Sequence, residues 1–157
     1  MRLGLISDTH GLLRPEAELA LSNVDVLLHA GDIGSPEILE RLQMIAPVFA
    51  VRGNNDTETE WPGLPTTFVG TWEGVSILML HELEMLRPKM LSAQPDLIIF
   101  GHSHKPATFE KEGVTYVNPG AAGGKRFSLP VSVAVLTLNA GKWSCNWINL
   151  QDERVLP

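Results

Sequence analysis

Short apolar runs alternate with helix-like segments through the first third of the chain. Brief apolar runs bounded by turn residues are typical of buried strands. The pattern predicts strands at 2–7, 24–29 and 48–51, with helices at 15–21 and 35–45. Ser35 is the predicted N-cap of the second helix, and Pro36 takes its first position. Alternation of strands and helices favours parallel strands with right-handed crossovers.

The rest of the chain changes to hairpins. Three pairs of strand-like segments flank short turns that contain glycine, which predicts antiparallel pairing. The pairs are 66–72 with 75–80, 108–111 with 114–117, and 131–138 with 142–150. A buried strand at 97–100 and a helix at 85–92, which Pro88 interrupts, complete the pattern. We expect a single domain over 1–157 with a mixed α/β (α+β) fold, a four-layer α/β/β/α sandwich of two mixed sheets with the helices outside.

Polar side chains follow the carboxyl ends of five of these apolar runs. In open α/β sheets, ligands bind in the crevice outside the carboxyl ends of the strands. The side chains expected to meet there are Asp8, His10, Asp32, Asn54, His81, His102 and His104. Gly101 is expected to supply the sharp change of direction that brings its two neighbouring histidines into the common space.

Composition and charge narrow the class of partner. A net charge of -6 without any block of Lys and Arg argues against a nucleic-acid partner. No apolar run approaches the roughly 20 residues of a transmembrane helix, so no membrane partner is expected. Cys145 is the only cysteine, and Met1 leads straight into the first strand with no room for a signal peptide. We expect a cytoplasmic protein in a reducing compartment.

The seven side chains offer only nitrogen and oxygen donors, and they outnumber the four ligands of a closed zinc site. They suit two cations if one carboxylate bridges. Asp32 is the expected bridge because Gly31 allows close approach. Two cations about 3.5–4 Å apart clamp the attacking and leaving oxygens of a phosphoryl displacement. Donors without thiolate favour Mn, Fe(II) or Zn.

The order and spacing of these motifs resemble one known family. Asp8-Thr9-His10, Gly31-Asp32, Gly53-Asn54-Asn55-Asp56, His81 and Gly101-His102-Ser103-His104 are similar to the motif series of the calcineurin-like metallophosphoesterases. Asn118-Pro119-Gly120 resembles a further motif of the small bacterial and archaeal phosphodiesterase branch, which includes the eukaryotic retromer scaffold subunit. The short chain suits that branch.

The resemblance implies a function and a ligand assignment. The function is a metal-dependent phosphodiesterase that hydrolyses a small phosphodiester through a hydroxide held by two divalent metal ions. Mn is expected first, with Fe, Zn, Ni or Co as alternatives. One ion is implied to bind Asp8, His10, Asp32 and His104, and the other Asp32, Asn54, His81 and His102. The branch also implies a homo-oligomer, either a dimer or a tetramer.

Two positions depart from the family pattern. Asn55 stands where many relatives carry a histidine that helps neutralise the phosphate or protonate the departing oxygen. Asn55 is the expected catalytic residue, since its amide can donate a hydrogen bond to phosphate. Without an acid there, substrates whose leaving group needs little protonation are favoured, because general acid catalysis contributes typically about 10²–10⁴-fold. Glu82 replaces the usual glycine after His81, and its carboxylate either crowds the site or points away.

Two other functions stay open. A non-catalytic protein-interaction scaffold of the same fold predicts eroded metal ligands and an apolar surface patch, whereas the ligands here are intact. A phosphomonoesterase like the larger relatives needs the missing histidine and extra arginine-bearing loops. The ratio of diester to monoester hydrolysis separates this last function from the first.

Four further residues have predicted positions or contacts. His29 lies within a strand and is expected in the core or behind the ligands. Asp56 is expected to brace its own loop, a common use of Asp in turns. Arg52 and Arg126 are candidates for phosphate contact.

Overall fold

The computed structural model describes residues 1–151 and 155–156, and its strands form two sheets. The strands are β1 (Arg2–Ile6), β2 (Val26–His29), β3 (Val48–Ala50), β4 (Thr67–Trp72), β5 (Val75–Leu80), β6 (Leu97–Ile99), β7 (Ala107–Lys111), β8 (Val114–Asn118), β9 (Ser132–Asn139), β10 (Lys142–Asn149) and β11 (Val155–Leu156). The helices are α1 (Pro15–Ala20), α2 (Pro36–Gln43) and α3 (Pro88–Leu91), and a 3₁₀ turn spans Leu83–Met85. None of the helices in these residues has the length and apolar character needed to cross a membrane.

Both sheets are mixed. In the first the order is β11-β10-β9-β1-β2-β3, with β1, β2 and β3 parallel and β9 antiparallel to β1. In the second the order is β4-β5-β6-β8-β7, with β5, β6 and β8 parallel and the two edge strands antiparallel to their neighbours. Parallel units at the front of the chain and hairpins behind them are as the sequence predicts.

The two sheets pack face to face over an apolar core. Alternate residues of a strand point to opposite faces. Leu3 and Leu5 of β1 therefore enter this core together with Ile77 and Met79 of β5, and all four are fully buried. Burial of one such side chain is worth about 1.5–3 kcal/mol. The apolar alternation along the strands thus holds the sheets together.

Helices cover the outer face of each sheet. Ile6 of β1 lies in an apolar cluster with Ala17 of α1 and Leu42 of α2. On the opposite side of the molecule, Leu78 of β5 lies in a cluster with Met90 of α3. The order of layers is helix, sheet, sheet, helix, which confirms the predicted α/β/β/α sandwich.

Proline sets the start of each helix. Pro15, Pro36 and Pro88 begin α1, α2 and α3, where the missing N–H has no intrahelical partner to lose. Ser35 is the N-cap of α2, as predicted, but its side chain makes no capping hydrogen bond. The helix predicted over 85–92 begins only at Pro88, because a proline inside a helix would clash with the preceding turn.

Candidate metal centre

Loops that follow five strands bring the predicted side chains to one edge of the sandwich. β1 leads to Asp8 and His10, β2 to Asp32, β3 to Asn54, β5 to His81, and β6 to His102 and His104. The first three strands belong to one sheet and the last two to the other. The centre therefore forms only where the two sheets meet.

Left-handed backbone is concentrated in these loops. φ lies between 46° and 68° at five of the seven residues, namely Asp8, His10, Asp32, His102 and His104. A non-glycine residue held in this region costs about 1–3 kcal/mol, and such strain clusters at functional sites. Three of the other five described non-glycine residues in this region lie in two-residue hairpin turns, where left-handed backbone is usual.

Gly101 serves a different purpose from the predicted one. Its φ lies outside the left-handed region, which His102 and His104 occupy instead, so the prediction of a turn made by this glycine is wrong. A Cβ at Gly101 would overlap Ser7 Oγ and would lie 2.8 Å from Asp8 Oδ2. Glycine is needed there because the end of β6 approaches the end of β1 too closely for any side chain.

Asp8, His10 and His104 form a first donor group. Nε2 of His10 and Nε2 of His104 are 3.3 Å apart. Oδ1 of Asp8 lies 3.7 Å from the first nitrogen and 3.2 Å from the second. Ligand atoms about 2.0–2.2 Å from one cation lie at roughly such separations from one another. This group can therefore hold a cation after small adjustments of its side chains.

Asp8, Asp32 and His81 form a second donor group, which shares Asp8 with the first. Nε2 of His81 lies 3.3 Å from Oδ2 of Asp32 and 3.8 Å from Oδ1 of Asp8. The same Oδ2 of Asp32 lies 3.7 Å from Nε2 of His10. Both carboxylates thus face histidines on both sides of the centre. The sequence predicts such sharing for Asp32 but not for Asp8.

Asn54 and His102 lie on the exposed side of the centre. Nδ1 of His102 is 3.1 Å from Oδ1 of Asn54, and its ring centroid is 5.3 Å from that of His81. The side chain of His102 is 44% exposed, whereas those of Asp8 and His81 are buried. This pair is therefore the accessible part of the centre.

Neighbouring imidazoles keep the two carboxylates ionised. Burial raises the pKa of Asp8, but the nearby imidazoles of His10 and His104 outweigh burial and hold the pKa well below its usual range. Burial also raises the pKa of Asp32, but the nearby imidazole of His81 helps to lower the pKa to about 2. Burial lowers the pKa of His81, yet Asp32 and Asp8 outweigh burial and raise the pKa. The centre therefore carries buried negative charge that attracts cations.

Three buried polar atoms of the centre have no hydrogen-bond partner among the described residues: Oδ1 of Asp8, Nε2 of His81 and Nδ1 of His104. Leaving one such atom unpaired costs about 1–3 kcal/mol. A divalent cation would satisfy the first two, because carboxylate oxygen and neutral imidazole nitrogen are common metal ligands. The residues present therefore fit a metal centre.

Comparison with known proteins places this centre in a family. The family described as the calcineurin-like phosphoesterase superfamily domain matches residues 1–141. The chain belongs to the calcineurin-like phosphoesterase superfamily. The resemblance carried by the sequence motifs is thereby confirmed.

Relatives of this chain are bacterial, archaeal and eukaryotic. A probable metallophosphoesterase of Methanothermobacter thermautotrophicus is 35% identical over 158 residues, with 90% of this chain and 88% of the relative covered. Phosphodiesterase YfcE of Escherichia coli is 30% identical, with 87% of each chain covered. Vps29 of Entamoeba histolytica, solved with Zn²⁺, has a TM-score of 0.80 and 25% identity, covering 99% of this chain and 96% of that one. The predicted branch is confirmed.

Asn55 contacts Asp32. The side-chain Nδ2 of Asn55 donates to Oδ2 of Asp32 at 2.7 Å, and its backbone N–H donates to Oδ1 at 2.9 Å. Asn55 thus holds both carboxylate oxygens. Its contact with the substrate phosphate stays a prediction.

Asp56 joins two loops of the centre. Its carboxylate accepts hydrogen bonds from the backbone N–H groups of Gly53 at 2.9 Å, Ile33 at 3.0 Å and Gly34 at 3.1 Å. The residue is 3% exposed. The predicted bracing of its own loop is confirmed. The bonds to the loop that carries Asp32 were missed, because they depend on how two distant loops approach in space.

Asn118 orients the turn that carries two of the histidines. Its Nδ2 donates to the carbonyl of Gly101 at 2.8 Å and to Ser103 Oγ at 3.1 Å, while its Oδ1 accepts from the N–H of Gly120 at 2.9 Å. The Asn-Pro-Gly motif supported the family resemblance, but no structural role was predicted for Asn118. The signal in the sequence was an asparagine placed directly after the strand-like segment 114–117.

His29 is a core residue, as predicted. Its Nδ1 accepts from the N–H of Gly31 at 3.2 Å, so its Nε2 donates to Thr9 Oγ1 at 3.0 Å, and the threonine hydroxyl donates to the Ile33 carbonyl. Burial lowers the pKa of His29 to about 4, which keeps the ring neutral. Arg126 is exposed, and its contact with phosphate stays a prediction.

Proposed function

We propose that this protein is a metal-dependent phosphodiesterase that uses two divalent cations. The proposal is carried by the two donor groups that meet at Asp8, in a chain that belongs to a phosphoesterase family. Relatives named phosphodiesterase, such as YfcE, favour a diester substrate.

The proposed ligands follow the motif assignment. One cation binds Asp8, His10, Asp32 and His104, and the other binds Asp32, Asn54, His81 and His102. Donor atoms assigned to the same cation lie 3.2–3.7 Å apart among the five buried or half-buried members, which supports this assignment. Mn²⁺ is the expected ion. The Zn²⁺ complex of Entamoeba histolytica Vps29 supports zinc as an alternative, beside Fe, Ni and Co.

When bound, two such cations lower the pKa of water toward about 7 and offset negative charge on phosphate oxygens. The residues of the chain hold the metal ligands in position. Asn55 fixes both oxygens of Asp32, so that this carboxylate stays between His10 and His81. His102 lies on the exposed side, where a phosphate can enter.

Asn55 is the proposed residue for hydrogen bonding to the substrate phosphate. An amide donates a hydrogen bond but supplies no acid, so departing alkoxides are not protonated from this position. Diesters with acidic leaving groups are therefore the favoured substrates. The carboxylate of Glu82, 4.0 Å from Nε2 of His102, further disfavours a dianionic monoester.

The test compares two esters of p-nitrophenol. Purified protein is stripped of metal, supplied in turn with Mn²⁺, Ni²⁺, Co²⁺ or Zn²⁺, and assayed with bis(p-nitrophenyl) phosphate and p-nitrophenyl phosphate. Metal-dependent hydrolysis that favours the diester by about tenfold or more, a transition-state difference of about 1.4 kcal/mol, is expected. Hydrolysis of neither ester with any of the four ions would rule out the enzyme. Preference for the monoester would favour a phosphomonoesterase.

A protein-interaction scaffold is the second candidate. The likeness to Vps29 and a partly exposed aromatic cluster favour it. In this cluster the rings of Phe49 and Phe68 lie 4.8 Å apart, and Trp72 contacts both. The intact donor groups favour the enzyme instead. A chain that takes up no divalent cation and hydrolyses neither ester would favour the scaffold.

The remaining expectations concern location and assembly. We propose a cytoplasmic protein, a small phosphodiester as substrate, no nucleic-acid partner, and a homodimer or homotetramer. The single cysteine supports a reducing compartment, and the net charge of -6 argues against nucleic acid. Light scattering on the eluate of a sizing column tests the assembly, and a monomeric mass would contradict it.

A further inference from the structure

A cavity of about 200 Å³ adjoins the metal centre. Its wall includes Asn54 and His81, both proposed metal ligands, so a phosphate held at the centre would have one ester arm within reach of the cavity. Glu82, Met85 and Met90 also line it. These three residues belong to the segment after β5, which runs through the 3₁₀ turn and α3.

The charge of this cavity is set by Glu82. Arg52 also lines the cavity, but its guanidinium is engaged by Glu58 and its Nε donates to the Leu64 carbonyl at 2.8 Å. Its positive charge is therefore offset within its own loop. No Lys or Arg of the described residues pairs with Glu82, and its closest basic group is Nε2 of His102 at 4.0 Å. A positive group entering the cavity would meet a carboxylate that no Lys or Arg of the described residues pairs with.

The rest of the wall suits alkyl groups. Met85 is 50% exposed, although methionine is an apolar residue, and Met90 is half-buried against the outer face of the second sheet. Thioether side chains are polarizable and adapt to the shape of a ligand. A methionine left exposed beside a charged centre is available for contact with an apolar part of a substrate.

We propose that this cavity receives the alcohol arm of the phosphodiester that stays bound to phosphorus, and that Glu82 selects an arm carrying a positive charge, such as an alkylammonium alcohol. The inference rests on the proposed phosphodiesterase function and names its substrate class. Opposite charges in close contact near a protein surface attract each other more strongly than they do in bulk water. Partial exposure of Glu82 reduces this to an expected preference of about tenfold, and an anionic arm is disfavoured to a similar degree.

Three substrates with one leaving group test the charge preference. They are p-nitrophenyl phosphodiesters whose second arm is choline, its uncharged isostere 3,3-dimethylbutanol, or the anionic 2-sulfoethanol. Wild-type kcat/KM is expected to fall in that order, by about tenfold at each step. Glu82→Gln is expected to reduce the choline-to-dimethylbutyl ratio to near one. Glu110→Gln, which removes an exposed carboxylate from β7 at the far edge of the same sheet, is expected to keep the wild-type ratio.

The kinetic outcomes separate the two proposals. Hydrolysis of all three esters with a ratio near one in the wild type, or with the same ratio after Glu82→Gln, overturns the arm assignment and leaves the phosphodiesterase function in place. Hydrolysis of none of them with any divalent cation removes the function and the inference together.

A binding measurement gives a readout that does not need turnover. The chain has five methionines, so methyl-¹³C labelling gives five resolvable signals. Protein supplied with Zn²⁺ is titrated with methyl phosphorylcholine, a diester with a poor leaving group. The Met85 and Met90 methyl signals are expected to shift, and that of Met44, 87% exposed beside α2, is expected to stay. Unmoved Met85 and Met90 signals at saturation would overturn the proposal.

Discussion

Nε2 of His81 lies 3.3 Å from Oδ2 of Asp32. His81 follows β5 of the second sheet and Asp32 follows β2 of the first, so this contact joins the two halves of the sandwich. Oδ1 of Asp8, also from the first sheet, lies 3.8 Å from the same histidine nitrogen. The metal centre is thus a product of sheet packing, and the chain on either side of the interface holds only part of it.

Asp32→Asn is expected to abolish turnover and to keep the fold. Asparagine preserves the shape of the side chain but removes the charge that both proposed cations share. We expect kcat to fall by about 10³-fold or more, the upper range for loss of one electrostatic group in a catalytic site. The melting temperature should change by no more than about 4 °C, which corresponds to about 1 kcal/mol in a chain of this size. Asp25→Asn, at an exposed carboxylate that accepts from the N–H of Arg2, is the control. Near-normal turnover in Asp32→Asn would contradict a bridging role.

Asn55→His is expected to change the dependence on leaving group. An imidazole there can supply a proton, which matters most when the departing oxygen is basic. Phenyl phosphodiesters should gain about 10²-fold, while p-nitrophenyl esters change little. Hydrolysis rates for a series of substituted phenyl esters, plotted against the pKa of the leaving phenol, measure this dependence. An equal loss for every ester would show instead that Asn55 acts only by holding Asp32 through its amide.

Asp56→Ala is expected to lower both stability and metal affinity. It removes the acceptor for three backbone N–H groups in two site loops, and that of Ile33 would be left buried without a partner. We expect a loss of about 3 kcal/mol in the free energy of unfolding, since hydrogen bonds to charged groups contribute about 1.5–3 kcal/mol each and lost donors add to this. Asp25→Ala removes one exposed acceptor and should cost less than about 1 kcal/mol. Denaturant unfolding of both variants checks the difference, and equal losses would contradict the bracing role of Asp56.

Gly101→Ala is expected to disrupt the centre by steric overlap, without removing any donor atom. The added methyl group would overlap Ser7 Oγ and crowd Asp8 Oδ2, forcing β6 away from β1. We expect a loss of about 1–3 kcal/mol in stability, the usual cost of overpacking, together with weaker metal binding. Gly124→Ala is the matched control, because a Cβ there meets no atom within 4 Å. Calorimetric titration with Mn²⁺ compares the two, and unchanged affinity in Gly101→Ala would contradict the close approach.

His29 is expected to make the fold sensitive to acid. Its pKa is lowered to about 4 by burial, whereas the unfolded chain has the ordinary value of about 6.5. Protons therefore bind the unfolded state first, and stability falls as the pH drops from about 6.5 to about 4, where the loss levels off. This one group accounts for about 3 kcal/mol at pH 4.

Replacing His29 isolates its share of the acid sensitivity. Unfolding free energies of the wild type and His29→Gln are compared between pH 7 and pH 4, and the variant should lose about 3 kcal/mol less. Parallel curves for the two proteins would show that His29 is protonated equally in the folded and unfolded states.

Much of the fold could be predicted because apolar periodicity and proline mark its elements directly. The observed strand boundaries differ by at most two residues from those predicted, as with β2, which begins at Val26 rather than Val24. β11 was not predicted, since two residues carry no periodicity and its place follows from pairing with β10.

The side chains of the centre could be predicted because parallel strands deliver their carboxyl ends to a common edge. The contacts between loops could not be predicted from the sequence. Three contacts depend on distances between segments that are far apart in the sequence. Asp8 belongs to both donor groups, Asp56 bonds to two loops, and Gly101 packs against Ser7. The local sequence pattern predicts which residue types lie at a site, whereas tertiary packing determines which of those residues are in contact.

The metal content of the saturated protein tests the central claim most directly. The chain is freed of metal, incubated with excess Mn²⁺, passed through a sizing column and analysed by inductively coupled plasma mass spectrometry. Two manganese ions per chain are the expected result. Protein that emerges with no bound manganese, and likewise with no Zn²⁺ in the same procedure, would contradict a metal centre built from Asp8, Asp32 and their histidines.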